Sequence, residues 1–445
     1  MPIQSPDLEI RSAAPVLAVA RPDPRLARLS LVQSLLQRAF AAAVKTGSLR
    51  LAFADGRAFS VGDGGEPKVA ARFTDTRAPW ALLLDPDLCT GELFHDGRLV
   101  VDQGSIVEFM SLVLRHGDDA PPAWWAALLD RARGTLQRVM RSNDLVRSRH
   151  NVSRHYDLDD RLYALFLDPE WQYSCAYFEH PEQSLADAQT AKMRHIAGKL
   201  ALRGGERVLD IGCGWGGLAC YLAQAGGAAE VLGITLSQEQ LHRARARSAG
   251  RGLGARARFE LQDYRTLQGR FDRIVSVGMF EHVGRRWYDE FFRTCRARLE
   301  DDGVMLLHTI GLSDGPSLTN PWITRYIFPG GHLPALSEIL PSIERAGLIV
   351  TDIEVLRLHY AETLSAWRRA FMARREEARA LFDERFCRMW EFYLAMSETA
   401  FRHEGVVVFQ LQLTRRIDAL PLVRNYMSDD EARLRAAHEG ADRAL

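Results

Sequence analysis

Residues 207–217 read Arg-Val-Leu-Asp-Ile-Gly-Cys-Gly-Trp-Gly-Gly. The first five predict a largely buried strand, and the glycines that follow predict a tight turn into a helix. Glycine suits such a turn because a side chain would block the close approach of the backbone to a ligand at the helix start. The spacing is Gly-x-Gly-x-Gly, with Asp210 just before it, and it differs from the Gly-x-Gly-x-x-Gly of dinucleotide-binding proteins. The segment therefore predicts a strand, a ligand-binding loop and a helix in succession.

The chain that follows this loop alternates predicted strands and helices. The predicted strands span residues 207–211, 229–236, 258–261, 271–277, 304–310, 349–358 and 406–413. Several are apolar throughout, as parallel strands covered by helices on both faces require. A glycine loop alone is a weak signal, but within this alternation it resembles that of S-adenosylmethionine (AdoMet) methyltransferases. We therefore predict an α/β fold with a seven-stranded, Rossmann-like AdoMet methyltransferase sheet.

A small α+β domain is predicted before this sheet. Residues 25–44 have the apolar spacing of a one-sided helix, and residues 49–61 predict a hairpin around Asp55-Gly56. Further strands are predicted at residues 68–73 and 98–101. The predicted division of the chain is a loose tail at 1–24, the α+β domain at 25–117, a linker at 118–155, the catalytic domain at 156–430 and a C-terminal tail at 431–445.

The composition argues against several classes of protein. The 445 residues include 57 Lys+Arg and 57 Asp+Glu, and zero net charge argues against a nucleic-acid-binding protein. No uncharged apolar run approaches the roughly 18 residues of a membrane span, and the first 24 residues do not resemble a secretion signal. The six cysteines form no Cys-x-x-Cys pair, so they are interpreted as free thiols. We therefore expect a cytoplasmic protein.

The predicted linker is strongly basic. Residues 131–155 contain seven arginines and a single acid, Asp144. The run is interpreted either as a solvated helical linker or as a patch that faces anionic lipid, where each cation contributes about 1 kcal/mol. The charge pattern alone leaves both interpretations open.

Polar residues follow the second and third predicted strands. Ser237 and Gln240 fit a helix capping box, and because no acid stands at this strand end, Gln240 would have to reach the cofactor hydroxyls. Asp263 and Tyr264 would lie at the edge and face of an adenine ring, although Asp263 also suits a plain turn.

Motifs spread along the chain resemble those of the cyclopropane-fatty-acyl-phospholipid synthases and the related mycolic acid cyclopropane synthases. They are residues 173–178, 210–217, 233–240, 261–264, 278–284, 307–310 and 359–364. The resemblance covers roughly residues 130–425 and implies AdoMet as methyl donor, with an unsaturated phospholipid acyl chain at the membrane surface as acceptor. It also implies a lipid-associated N-terminal domain, a location peripheral to the inner face of the membrane, and a homodimer.

The resemblance assigns two sets of site residues. The AdoMet-binding set is Tyr173, Ser174, Asp210, Gly212, Gly214, Thr235, Gln240, Asp263 and Tyr264. The second set holds a bicarbonate ion and consists of Cys175, Glu281, His308, Tyr360 and the backbone of Ile310. Three of these follow or end strands four to six, so they should face one crevice at the carboxyl edge of the sheet.

The chemistry explains the second set. Methyl transfer to a double bond leaves a carbocation, which must lose a proton from the new methyl group for the ring to close. A bound anion opposes the positive charge and takes that proton. A metal is not expected, because Glu281, His282 and His308 lack His-Glu-x-x-His spacing.

Two alternative functions remain at this point. A related enzyme would make methyl-branched chains by rearrangement of the cation before proton loss. A lipid-binding protein would retain only a vestigial AdoMet site. The aromatic residues Phe382, Phe386, Trp390 and Tyr393 have helical spacing and are interpreted as core rather than as a lipid channel.

Overall fold

The computed structural model describes residues 28–116 and 160–442, the last five of them as backbone only. The predicted N-terminal tail at 1–24 and the basic linker at 118–155, with its arginine run, lie outside the described residues. No helix of the described part is long and apolar enough to cross a membrane.

The N-terminal domain packs helices on a small mixed sheet. Its elements are α1 (Leu31–Ala43), β1 (Ser48–Ala52), β2 (Ala58–Gly62), β3 (Lys68–Phe73), α2 (Ala78–Leu84), α3 (Pro86–His95), β4 (Leu99–Gln103) and α4 (Ile106–Leu114). The strand order is β2-β1-β3-β4. The predicted hairpin is confirmed, since β1 and β2 pair antiparallel and Gly56 takes a left-handed φ of +84° in the turn.

The catalytic domain follows. Its elements are α5 (Asp160–Tyr163), α6 (Leu185–Lys199), β5 (Arg207–Ile211), α7 (Gly217–Gln224), β6 (Glu230–Thr235), α8 (Gln238–Gly250), β7 (Ala257–Leu261), β8 (Phe271–Val277), α9 (Tyr288–Arg298), β9 (Leu299–Leu312), α10 (Pro321–Tyr326), α11 (Leu336–Ala346), β10 (Ile349–Leu356), α12 (His359–Ala373), α13 (Arg375–Leu381), α14 (Glu384–His403), β11 (Val406–Thr414) and α15 (Tyr426–Asp442). All seven predicted strands are present.

The seven-stranded sheet has the order β10-β11-β9-β8-β5-β6-β7. Strands β9, β8, β5, β6 and β7 run parallel, and β11 enters antiparallel between β9 and β10. The chain proceeds outward from β5 in one direction and from β8 in the other. The loops that follow β5 and β8 therefore run in opposite directions across the sheet and leave a crevice between them at its carboxyl edge.

The C-terminal end differs from the prediction of a tail at 431–445. Residues 431–442 belong to helix α15, which packs on α6. Leu434 is fully buried, and the carboxylate of Glu431 lies 2.8 Å from His195 Nδ1. This helix is difficult to predict from the sequence, because its buried apolar residues, Met427 and Leu434, are two turns apart in a mostly polar segment.

The two domains meet along α14, which packs on α3 and α4. Of the aromatic residues predicted to be core, Phe382 lies in the turn before α14 and the other three lie on α14, where Trp390 and Tyr393 are buried. Tyr326 donates a hydrogen bond of 2.8 Å to Glu92, and Arg385 pairs with Asp96 at 2.8 Å. Packed rings and ion pairs thus join the N-terminal domain to the catalytic domain.

Candidate active site

A cavity opens at the carboxyl edge of β5, β6 and β8, beside the glycine loop. Gly212 has a φ of +81°, and a Cβ there would lie 2.8 Å from the Met279 side chain, so the loop demands glycine. All nine predicted AdoMet-binding residues line this cavity: Tyr173, Ser174, Asp210, Gly212, Gly214, Thr235, Gln240, Asp263 and Tyr264. The structure thus brings them together, while the role of each stays a prediction.

Residues 171–174 line one side of the cavity and are held by side chains of α6. Gln189 Nε2 donates to the carbonyls of Gln172 and Ser174 at 3.3 and 3.0 Å. One turn later, the ammonium of Lys192 donates to Gln172 Oε1 at 2.6 Å and to Ser174 Oγ at 2.8 Å. Burial lowers the pKa of Lys192 to about 8, against the opposing charge of Asp168. Two side chains of α6 therefore position the cavity wall, and the sequence analysis did not identify either.

Asp210 presents a carboxylate to the cavity without a complete set of partners. Its Oδ2 atom is buried and accepts no hydrogen bond from the described residues. Burial raises the pKa of Asp210 to about 7, although the charge of Lys192 opposes the rise. An unpaired buried acceptor in a glycine-lined cavity fits AdoMet, which carries ammonium and hydroxyl donors.

The end of β6 supplies an amide to the same cavity. Thr235 Oγ1 donates to Gln240 Oε1 at 2.8 Å, which fixes the amide and leaves its NH₂ group for a ligand. Ser237 accepts from the Gln240 N–H and caps α8, as the capping interpretation predicts. The geometry suits contact between Gln240 and cofactor hydroxyls.

Asp263 is held by its neighbour Arg265, whose guanidinium donates to both carboxylate oxygens at 2.9 and 2.7 Å. Each carboxylate oxygen has two lone pairs, so Asp263 keeps acceptor capacity toward the cavity. Burial raises the pKa of Tyr264, and its ring packs edge-on against Phe291. Asp263 can thus accept hydrogen bonds from the edge of a planar ligand ring, and Tyr264 can pack against the face of that ring.

The second predicted set begins directly beyond the cavity. Glu281 lies in a short turn after β8, between the cavity-lining residues Met279 and His282. Its Oε1 atom accepts the Ile310 N–H at 2.7 Å, and its buried Oε2 atom has no partner among the described residues. Burial raises the pKa of Glu281 from 4.5 to about 7, despite the hydrogen bond from Ile310. The Ile310 N–H therefore orients the carboxyl group.

His308 lies two residues before Ile310 on β9. The amide nitrogen of Gln410 on β11 lies 3.1 Å from His308 Nδ1. An amide nitrogen only donates, so Nδ1 accepts and Nε2 carries the ring proton. Burial holds the pKa of His308 well below its usual value, and the charges of Lys192 and Lys199 act in the same direction. His308 is thus a neutral donor.

Cys175 and Tyr360 are placed by α12. Thr363 accepts the Ala176 N–H at 3.0 Å, and the Cys175 thiol donates to the Ala176 carbonyl at 3.2 Å. Burial raises the pKa of Cys175, so the side chain stays a thiol and is a poor nucleophile. One turn before Thr363, the buried ring of Tyr360 packs against Trp367.

Contacts along the wall link the two sets. A Cβ on Gly278, three residues before Glu281, would lie 3.9 Å from Ser174, which directly precedes Cys175. The charge of Lys192 acts on both Cys175 and His308. The segment around Cys175 therefore lies beside the turn that carries Glu281. Within the described residues, no three His, Cys, Asp or Glu side chains form a group that could hold a metal.

The sheet order, the glycine loop and the cavity beyond it define an AdoMet-dependent methyltransferase. Residues 143–411 match the model of the family described as mycolic acid cyclopropane synthetase. The chain belongs to this family.

Individual relatives agree with this assignment. The chain is 39% identical over 338 residues to the cyclopropane-fatty-acyl-phospholipid synthase of Escherichia coli strain K12, covering 76% of this chain and 85% of that protein. It is 36% identical over 376 residues to the probable fatty acid methyltransferase of Pseudomonas putida, covering 82% of this chain and 91% of that protein. The mycolic acid cyclopropane synthase CmaA1 complexed with SAH and CTAB superimposes with a TM-score of 0.56 at 36% identity, covering 60% of this chain and 97% of that one. These relatives indicate an AdoMet-dependent lipid methyltransferase of the cyclopropane fatty acid synthase type.

Proposed function

We propose that this chain transfers a methylene unit from AdoMet to the cis double bond of an unsaturated acyl chain in a phospholipid, giving a cyclopropane fatty acid. The observation that carries the proposal is the unpartnered Glu281 carboxyl oxygen, which lies directly beyond the cofactor cavity on a side chain that the Ile310 N–H orients, two residues after His308 on β9. AdoMet supplies an electrophilic methyl group when it is bound. The double bond is a weak nucleophile, so the site must supply both orientation and a base.

The polar groups around Glu281 fit a bicarbonate ion. A second anion beside a carboxylate is unfavourable unless a proton lies between them, and bicarbonate carries one O–H donor for the Glu281 oxygen. His308, with its proton on Nε2, offers a donor to the ion's remaining oxygens. Bicarbonate held there would supply a base for the proton of the added methyl group. Cys175, as a neutral thiol, and Tyr360 complete the proposed set as hydrogen-bonding groups rather than nucleophiles.

The environment of Glu281 and His308 also protects the carbocation until its proton is lost. Burial excludes bulk water, which would otherwise capture a carbocation before its proton is lost. Neutral His308 adds no positive charge next to the cation. The residues of this chain thus hold the proton acceptor and keep water out.

The likeness to the Escherichia coli relative supports a phospholipid substrate. That alignment covers 338 residues, more than the family match at 143–411, so it includes part of the chain beyond the shared catalytic domain. A membrane phospholipid can be reached only by a protein that works at the bilayer surface. The proposal therefore includes a cytoplasmic protein that binds peripherally to the inner face of the membrane. It also includes a homodimer, which the family resemblance implies.

The product decides between this function and its alternative. The full chain is incubated with unsaturated phospholipid vesicles and AdoMet that carries a CD₃ group, and the fatty acids are analysed by mass spectrometry. Ring closure must remove one deuterium from the methyl group, so the product gains CD₂ and keeps one unsaturation equivalent. The Pseudomonas putida relative is named a probable fatty acid methyltransferase, which favours methyl branching as the second candidate. A branched product would replace the proposed function with that candidate, whether it is a methyl-branched alkene that retains all three deuterium atoms or a methylene-branched chain that retains two and, unlike the ring, still reacts as an alkene.

An AdoMet titration tests the remaining alternative of a lipid-binding protein. Calorimetric binding of AdoMet without any methylated lipid product would indicate a vestigial site. Absence of both binding and product would contradict the cofactor assignment.

A further inference from the structure

Two neighbouring helices of the N-terminal domain expose large apolar side chains. On α1, Leu31 and Leu35 are 73% and 36% exposed, and on α2, Trp80 and Leu84 are 48% and 59% exposed. The two members of each pair are four residues apart and lie on one side of their helix. Because α1 packs against α2, the two pairs lie on adjacent elements of the same domain.

An exposed arginine extends each pair. Arg38 follows Leu31 by seven residues on α1, and Arg77 precedes Trp80 by three at the start of α2. Within residues 28–116 and 160–442, neither arginine forms an ion pair with an acid. Arg98 of the same domain, by contrast, is paired with Asp75 at 2.7 Å. Together these residues of two packed helices, Leu31, Leu35, Arg38, Arg77, Trp80 and Leu84, are here named the α1–α2 face, and they combine exposed apolar side chains with arginines that no acid of the described residues neutralises.

A second exposed apolar segment lacks this combination. In the loop between β11 and α15, Ile417 and Leu422 are 81% and 102% exposed. Arg416 of this loop is paired with Asp418 at 2.5 Å. The loop also leaves the edge of the sheet opposite the cavity, since Thr414 pairs with Val304 in the first half of β9. Its cations are neutralised, so it offers less to an anionic surface.

We propose that the α1–α2 face docks on the surface of a bilayer that contains anionic phospholipid. Leucine side chains and the amphipathic ring of Trp80 enter the interfacial region, and the two arginines bind lipid phosphates. The choice of a bilayer as the occupant rests on the proposed function, because that function requires a substrate drawn from a membrane.

The packing of the two domains would transmit this docking to the site. Helix α14 packs on α3 and α4 of the docked domain, and its Tyr393 hydroxyl lies 2.9 Å from the hydroxyl of cavity-lining Tyr173. A Cβ on Gly91 of α3 would lie 2.4 Å from Trp322 of the catalytic domain, so the interface is tightly packed. Docking at one domain therefore fixes the orientation of the other.

Vesicle binding by the full chain tests the proposal. Binding is measured by flotation with phosphatidylcholine vesicles that contain or lack phosphatidylglycerol. Substituting both arginines, Arg38→Gln and Arg77→Gln, should weaken binding to anionic vesicles about 25-fold, roughly fivefold for each charge, and change binding to neutral vesicles little. Substituting Leu31→Ser and Trp80→Ser should weaken binding to both by tenfold or more. Added salt should reduce only the arginine-dependent part.

The matched control is the loop variant with Ile417→Ser, Leu422→Ser and Arg416→Gln. It removes the same kinds of side chain and should bind vesicles as the parent chain does. Circular dichroism and AdoMet affinity should be unchanged in every variant, because these positions are exposed and distant in sequence from the cavity residues.

Two results would overturn the proposal. The first is unchanged vesicle affinity of the α1–α2 face variants, with or without loss in the loop control. The second is a rise in Trp80 exposure to quenchers when residues 1–27 are deleted, without a change in vesicle affinity, which would show that the chain's own N-terminal segment covers the face. Normal docking without any methylated lipid would instead refute the proposed function and leave this inference standing.

Discussion

Replacing Glu281 by glutamine should change activity and stability in opposite directions. Glutamine keeps an oxygen for the Ile310 N–H, which lies 2.7 Å from Oε1 in the parent chain. It replaces the unpartnered Oε2 with an NH₂ group that cannot accept the proton of a bound bicarbonate. Turnover should therefore fall about 100-fold or more, equivalent to about 3 kcal/mol of transition-state free energy. AdoMet affinity should change little, because the cofactor cavity keeps all of its nine predicted residues.

The same substitution should raise the free energy of unfolding. The pKa of Glu281 is raised by burial from 4.5 to about 7, so ionisation above pH 4.5 is less favourable in the folded than in the unfolded chain. The resulting destabilisation is absent below pH 4.5, grows as the pH rises toward 7 and is then constant. Glutamine cannot ionise, so the variant should be more stable by about 1 kcal/mol at pH 5 and about 3 kcal/mol at pH 8.

A second buried glutamate provides a matched control. Burial alone would raise the pKa of Glu338, but hydrogen bonds from His332 and the Ala335 N–H outweigh it and hold the pKa below its usual value. Glu338→Gln should therefore lower stability at neutral pH, and the loss should disappear as the pH falls through the folded pKa.

Urea unfolding at pH 5 and pH 8, AdoMet calorimetry and mass spectrometry of the lipid product measure all three quantities. Normal ring formation by the Glu281→Gln variant would refute the bound-anion mechanism, even if methyl transfer itself were established. A variant whose stability advantage did not grow with pH would refute the argument from burial.

Three further substitutions test other parts of the site. Gly212→Val should abolish AdoMet binding in calorimetry while far-UV circular dichroism stays that of a folded chain, because the new side chain would meet Met279 and occupy the cavity. Retained affinity would contradict the cofactor site. Cys175→Ser should reduce turnover less than the Glu281 substitution does, because the thiol is neutral and acts through hydrogen bonds; equal severity in a steady-state assay would indicate a covalent nucleophile. Lys192→Met should raise the Kd for AdoMet about tenfold or more, since Ser174 loses the donor that fixes it toward the cavity, and an unchanged Kd would show that Lys192 only fills space.

The parts of the fold that the sequence predicts well are those with local signals. The strand at 271–277 is found with the predicted bounds, because a short, mostly apolar segment between Gly269 and Gly278 can be recognised without knowledge of its partners. The glycine loop can also be predicted from local sequence, because the positive φ of Gly212 is a conformation that favours glycine. Once parallel strands are predicted, the positions of Glu281 and His308 at one edge follow from topology alone.

The residues that support the site could not be predicted in this way. Helix α6 buries Lys192, Arg194, His195 and Lys199. This polar pattern is typical of a solvent-facing helix, and only distant partners make its burial favourable: Ser174 for Lys192, and Glu354 and Glu431 for His195. Gln410 gave one visible signal, because it and Gln412 are the two polar residues of an otherwise apolar predicted strand. Its partner His308 is 102 residues away, and the sequence does not specify that pairing.

The position of β11 has a consequence for how the chain is made. A ribosome completes this strand last of the eleven in the described part, yet it lies between β9 and β10 and pairs with both. Until residues 406–414 have emerged, β9 and β10 each carry an open edge, which is a site for pairing with other chains. His308 also lacks Gln410 until then, so its imidazole has no fixed tautomer. A nascent or C-terminally truncated chain should therefore be inactive and prone to aggregation, and catalytic competence begins only when the last strand closes the sheet.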